Sequence, residues 1–188
     1  MKPDELVPTP SQTAGPFFHL GCTERRSVGR LVASQTEGER IHLVCRVYDG
    51  DGVLVNDAMI EIWQANAAGK YNHPDDHQQK PVDPAFSGFG RLATDEQGVC
   101  TFETIKPGRV ADQAPHINVS IFARGLLKRL ATRVYFAGDP VNTEDAVLNL
   151  VAPERRHTLL ARSKEGQPDQ WKFDIHLCGE QETVFFDV

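Results

Sequence analysis

The stretch His116-Ile117-Asn118-Val119-Ser120-Ile121-Phe122-Ala123 alternates with period two: Ile117, Val119, Ile121 and Ala123 form an apolar face, with His116, Asn118 and Ser120 opposite. Successive side chains of an extended chain point to opposite faces, so this is the pattern of a half-buried strand. The same pattern recurs upstream in Ile41 to Tyr48, where Ile41, Leu43, Cys45 and Val47 share one face and His42 and Arg46 the other. Asp49-Gly50-Asp51-Gly52 then supplies the positive-φ positions of a tight turn, and Val53-Leu54-Val55 resumes an extended chain. Ala58 to Ala65, with Ile60, Ile62 and Trp63, reads as another strand. Arg91–Thr94 and Val99–Ile105 flank Asp95-Glu96-Gln97-Gly98 as an expected hairpin ended by Lys106-Pro107-Gly108. Downstream, Thr132–Phe136, the alternating Trp171, Phe173, Ile175 and Leu177, and Thr183–Phe186 complete the expected strands. Asn142-Thr143-Glu144-Asp145 and Pro153-Glu154-Arg155-Arg156 read as starts of short helices. Short strands with turns between them and no βαβ repeat predict an all-β, antiparallel β-sandwich with one or two short helices.

The expected division is an N-terminal arm, residues 1–22, and a sandwich domain, residues 23–188. Pro3, Pro8, Pro10 and Pro16, with Gly15, exclude a continuous helix or central strand in the arm. Phe17, Phe18 and Leu20 follow, too apolar for a solvated tail, so the arm packs either on its own domain or on a partner.

With 188 residues, 40% hydrophobic and 24% charged, the chain suits one domain with a full core. The net charge of −6 is spread along the chain, and the basic residues form no concentrated footprint, which argues against nucleic acid as a partner. No run approaches the roughly 20 apolar residues of a membrane span. The start Met-Lys-Pro-Asp-Glu has no apolar signal core, so a cytoplasmic location is expected. Cys22, Cys45, Cys100 and Cys178 form no Cys-x-x-Cys pair and read as free thiols.

Asn66 to Gly90 is a polar connection longer than most, and it carries Tyr71. With Ile117 on a strand, His116 and Asn118 share one face, where two imidazoles spaced this way would place two nitrogens on one ion. Here the second is an amide, so Tyr71 and His116 look like half of a metal site. His73, His77, Asp75 and Asp76 lie nearby, but polar loop residues of this kind are ordinarily solvated.

Four ordered segments carry a resemblance: Pro10-Ser11-Gln12-Thr13-Ala14-Gly15-Pro16-Phe17; Gly52-x-Leu54 leading into Ala58-Met59-Ile60-Glu61-Ile62-Trp63-Gln64-Ala65 and Gly69-Lys70-Tyr71; Phe102-x-Thr104-Ile105-Lys106-Pro107-Gly108; and Pro115-His116-Ile117-Asn118. Together they resemble the intradiol ring-cleavage dioxygenases over nearly the whole chain. Catalytic members of that family hold ferric iron with two tyrosines and two histidines. Carried onto this chain, those positions fall on Tyr71, Arg109, His116 and Asn118, and the assisting arginine falls near Gln113. A guanidinium has no lone pair to offer and stays protonated, so Arg109 is expected to set a positive charge at the metal's place; Asn118 offers only a neutral carbonyl oxygen.

The resemblance therefore implies no catalytic residue in this chain alone, no metal in a degenerate remnant, and Fe(III) held by the beta chain of a hetero-oligomer of αβ units. Thr13, Gly15, Pro16, Phe17 and Arg133 would line that partner's pocket, Arg133 near the carboxylate end of a small aromatic substrate. Related chains often carry tyrosine at position 17, so a hydroxyl is missing here. The implied reaction is cleavage of 3,4-dihydroxybenzoate by O2 between its hydroxylated carbons, giving 3-carboxy-cis,cis-muconate. Two other readings stay open: a stand-alone, non-catalytic sandwich that binds an aromatic acid, and an autonomous dioxygenase resting on Tyr71 and His116.

Overall fold

The computed structural model describes residues 9–24 and 26–188. Pro3 and Pro8 of the arm lie outside them, as does the side chain of Pro16. Eight strands follow in order: β1 (Arg40–Tyr48), β2 (Met59–Gln64), β3 (Phe89–Ala93), β4 (Val99–Ile105), β5 (His116–Phe122), β6 (Leu130–Phe136), β7 (Leu160–Lys164) and β8 (Gln167–His176). They form two layers, β3-β2-β5-β6 and β7-β8-β1-β4, joined through β6 and β7 by two residue pairs, Tyr135↔Leu160 and Phe136↔Ala161. The expected sandwich is thus present, and most pairs are antiparallel. Two are parallel, β1 with β8 and β6 with β7.

The alternation read from the sequence decides which faces meet. Ile41, Leu43, Cys45 and Val47 of β1, Ile60 and Ile62 of β2, Ile117, Val119 and Ile121 of β5, and Trp171, Phe173 and Ile175 of β8 are buried in one continuous core. All four cysteines are free thiols; Cys45 and Cys100 face each other across β1 and β4, and Cys45, hydrogen-bonded to Cys100 and buried, has its pKa pushed up.

Three expectations need correction. Arg91–Thr94 and Val99–Ile105 do not pair as a hairpin. The turn closes as expected, with Gly98 N–H donating to Asp95 O at 2.9 Å, but β3 pairs with β2 in one layer and β4 with β1 in the other. The extended segment 28–31 takes the edges between them, bonding Val28 to Arg91 and Gly29 and Leu31 to Glu103. Turn chemistry specifies the reversal and not the partner; Gly90 lets the layers close, since a Cβ there would meet Ile62, Leu31 and Phe102 atoms at 2.9 Å.

Thr183–Phe186 is not a strand; it makes one bridge, Ala131↔Phe186. Its backbone is satisfied partly by hydroxyls: Thr132 donates to Val184 O at 2.7 Å and Val184 N–H donates to Thr158 Oγ1 at 3.2 Å. The third correction is β7, which the sequence did not reveal: only Ala161 of Leu160–Lys164 is fully buried, too short a pattern to register period two.

The arm is not wholly extended. One helical turn, α1 (Pro16–His19), opens at a proline, and a π-turn over Leu20–Glu24 follows. The segment after β6 contains 3-10 turns at Pro140–Glu144 and Pro153–Leu159 around the short helix α2 (Ala146–Leu150), whose first turn is capped by the Asp145 carboxylate accepting from Leu148 N–H. No helix among the described residues is long and apolar enough to cross a membrane.

The alternation has a measurable consequence on β4. Phe102→Ala is expected to cost about 3–5 kcal/mol, since its ring is fully buried, whereas Thr101→Ala on the exposed face changes stability by about 0.5 kcal/mol or less. Chemical denaturation of the two variants checks this.

Candidate functional site

The outer face of the β3-β2-β5-β6 layer carries the polar members of the alternation. Register places Asn118 between Trp63 of β2 and Arg133 of β6, and His116 opposite Tyr135. Tyr71 reaches this face from the long connection after β2. Asn66 Oδ1 accepts from Ala68 N–H and Lys70 N–H, both at 3.0 Å, which folds the start of the loop tightly. The loop then crosses the end of β4 at backbone contact. Gly69 has φ 78°, and a Cβ there would fall 1.8 Å from the Arg109 carbonyl oxygen. Asp76 locks the arrangement by accepting from Tyr71 N–H at 2.8 Å and pairing with Lys70 at 3.2 Å, both side chains only 8% exposed. The phenol ring of Tyr71 stacks on Trp63, with centroids 5.7 Å apart.

Tyr71, His116 and Asn118 do converge. Ala114 O can only accept, so His116 Nδ1 carries the proton in their 2.8 Å bond, leaving the Nε2 lone pair 3.4 Å from Tyr71 Oη. Burial, helped by the Arg133 charge and opposed by the bond to Ala114, lowers the His116 pKa and keeps the ring neutral. Burial also raises the Tyr71 pKa, against the opposing effects of Asn118 and Arg133, so the phenol is neutral. Asn118 turns its amide nitrogen inward, donating to Tyr71 Oη at 3.0 Å and to Trp63 O at 3.3 Å. The expectation that Asn118 offers its carbonyl oxygen is therefore corrected: the Trp63 carbonyl needs a donor, and the NH2 group supplies it.

Arg109 is not in the site. Its guanidinium is exposed and paired with Glu144 at 3.3 Å, because the end of β4 carries it outward to a carboxylate. The cation beside Tyr71 and His116 is Arg133. Its Nη1 donates to Gln113 Oε1 at 2.8 Å and, more weakly, to Tyr135 Oη at 3.5 Å. Tyr135 in turn donates to Asp145 Oδ1 at 3.0 Å. Burial pushes the Tyr135 pKa up to about 12, against the opposing bond from Arg133, and the hydroxyl stays protonated. Arg133 also lines a cavity of about 370 Å³ with Asn118, Ser120, Arg129, Val147 and Phe186. Nothing in composition or spacing marked Tyr135, Asp145 or Trp63 for the site, and Asp76, noted only as a solvated loop neighbour, proves to hold the loop; the alternation of Thr132–Phe136, which sets Tyr135 on one face with Arg133, was the one available signal.

Among the arm residues, Thr13 Oγ1 accepts from Gly125 N–H at 2.8 Å, and the Phe18 ring lies 5.6 Å from Phe122. Thr13 and Gly15 border a cavity of about 300 Å³ on this chain's own surface, while Phe17 points away, 85% exposed. His73 sets an edge against Trp63, and His77 and Asp75 remain on the loop surface. Among the described residues, no group of three His, Cys, Asp or Glu side chains is placed to hold a metal.

A sandwich with this outer-face constellation has relatives. Residues 13–113 match a family model described as Dioxygenase, and the chain belongs to the intradiol dioxygenase family. It is 43% identical over 197 residues to the protocatechuate 3,4-dioxygenase alpha chain of Burkholderia cepacia, covering 97% of this chain and 98% of that one. It is 39% identical over 158 residues to the beta chain from the same organism, covering 78% and 67%. Among solved structures, the dioxygenase domain of a carbohydrate-binding fusion from Streptomyces sp. SirexAA-E superposes with a TM-score of 0.64 at 26% identity, covering 94% of this chain and all of that one. Enzymes of this family depend on Fe(III).

The loop that delivers Tyr71 should respond to acid. Bonds from Gln78 and Tyr71 N–H and the Lys70 ammonium outweigh burial and hold the Asp76 carboxyl at about 2, below its usual 3.8. A depressed carboxyl stabilises the fold above its unfolded pKa, and that stability is lost as pH falls from about 4 toward 2. Asp76→Asn is expected to cost about 3 kcal/mol at neutral pH by leaving Lys70 without its carboxylate. The gap to wild type in urea unfolding should narrow as pH falls through that window.

Proposed function

We propose that this chain is the alpha chain of a protocatechuate 3,4-dioxygenase, that it carries no iron itself, and that it completes the pocket of an iron-holding beta chain. The observation that carries the reading is a family fold, alike over nearly its whole length to an alpha chain, whose outer-face donor set is broken. The convergent groups offer one imidazole lone pair and one neutral phenol, with an amide NH2 turned inward and a guanidinium alongside. That set does not fit a ferric ion, which needs several anionic or lone-pair donors and is repelled by a fixed positive charge.

The chain's contribution is then shape, exclusion of water and one charge. The arm, residues 1–22, reaches the beta chain with Phe17, whose exposure in the single chain leaves the ring free for a partner. Thr13, by its bond to Gly125, anchors the arm where it presents Phe17, and Gly15 and Pro16 are taken with it, on the resemblance alone, as lining residues of the partner's pocket. Arg133 supplies the cation that a substrate carboxylate needs, and it does so from a fixed position, which lowers the cost of binding. The assembly acts on 3,4-dihydroxybenzoate and works in the cytoplasm.

The test is iron content and protocatechuate-dependent oxygen uptake for the chain purified alone and after co-expression with a beta chain. The expected result is a colourless, iron-free, inactive chain alone and a red, active complex. Near-stoichiometric iron with activity in the isolated chain would overturn the reading, and a chain that assembles with no beta chain would leave it as a separate binding protein.

A further inference from the structure

Arg133 is held by a chain of hydrogen bonds that ends in the core. Asp145 is fully buried, and its carboxylate accepts from three donors: Ala114 N–H at 2.8 Å, Leu148 N–H at 2.7 Å and Tyr135 O–H at 3.0 Å. A carboxylate buried among these three donors commits the single phenolic proton of Tyr135 to itself. The lone pairs of Tyr135 Oη are thereby left for Arg133 Nη1, and such chains of bonds polarise one another. Gln113 Oε1 takes the same nitrogen from the other side at 2.8 Å. Among the described residues both contacts fall on Nη1, so the other guanidinium donors have no partner there, and Arg133 borders the outer-face cavity, whose described lining includes Arg129 and Val188 but no Asp or Glu side chain.

We propose that Tyr135, Gln113 and Asp145 are positioning residues that aim Arg133 at the carboxylate of the substrate, and so make the assembled pocket selective for carboxylated diols over diols without a carboxylate. This rests on the reading of Arg133 given above. A planar guanidinium held at one corner presents its remaining fork in one orientation, whereas an unanchored one must be ordered when substrate binds.

The test uses the αβ complex with three single variants of this chain, Tyr135→Phe, Gln113→Met and Arg133→Ala, and the Tyr135→Phe, Arg133→Ala double variant, each assayed with 3,4-dihydroxybenzoate and with catechol, which lacks the carboxylate. Tyr135→Phe keeps the buried ring and leaves Asp145 its two backbone donors. It is expected to raise KM for 3,4-dihydroxybenzoate by about three- to tenfold, as loss of one hydrogen bond to a charged group implies. kcat and iron content should stay within about twofold, and KM for catechol should not change. Arg133→Ala should give the same pattern more strongly, and the Tyr135→Phe, Arg133→Ala double variant should be no worse than Arg133→Ala. If Arg133→Ala leaves KM unchanged, the role of Arg133 falls and the brace with it. If Arg133→Ala raises KM while Tyr135→Phe and Gln113→Met do not, the brace alone is overturned. An equal rise for both substrates would mark a general disturbance and also overturn it. Gln113→Met, at a partly exposed position, carries the test should Tyr135→Phe fail to assemble.

Discussion

The alternation of β5 governs both halves of this molecule. Ile117, Val119 and Ile121 must face inward to fill the space between the layers, and the pleat then sends His116, Asn118 and Ser120 outward with no freedom to choose. Register with β2 and β6 sets Trp63 and Arg133 on either side of Asn118 and Tyr135 opposite His116. A one-residue slip would turn the amide and imidazole face between the layers and the apolar face outward. The outer-face constellation is thus secured by apolar burial on the opposite face.

Tyr71 and His116 still meet, but the space between them is spanned by hydrogen bonds internal to the protein: Asn118 donates to Tyr71, and His116 gives its only proton to Ala114. Charge has moved as well. The cation near Tyr71 is Arg133, bound to the core through Tyr135 and Asp145, while Arg109 stands outside with Glu144. The face thus projects one guanidinium that is bonded on its inner side to Tyr135 and Gln113.

How much was legible in the sequence depended on the range of the cause. Strands β1, β2, β5 and β8 were readable because period-two burial is written residue by residue. The turns at Gly52 and Gly98 were readable because they need positive φ within a few residues. The helix starts at Asn142–Asp145 and Pro153 were readable for the same local reason. The partner of β3 was not, since the choice between β4 and β2 was made by the segment 28–31, some sixty residues away in the chain. Leu160–Lys164 became a strand only because β6 and β8 bracket it, and Thr183–Phe186 stayed outside the sheets because threonine hydroxyls meet its backbone in place of a ladder.

By itself, then, the sequence determined the all-β sandwich, the inward and outward faces of its central strands, and the family, through ordered motifs around Tyr71 and His116. Tyr71, Arg109, His116 and Asn118 could also be named from the sequence as the positions that the resemblance sets at the family's metal site. Only the tertiary structure decided which arginine stands in the site, which end of the Asn118 amide faces Tyr71, and that Asp145 reaches Arg133 through Tyr135. Those outcomes depend on side chains from distant segments competing for the same partners in three dimensions, and no periodicity or spacing along the chain encodes who wins.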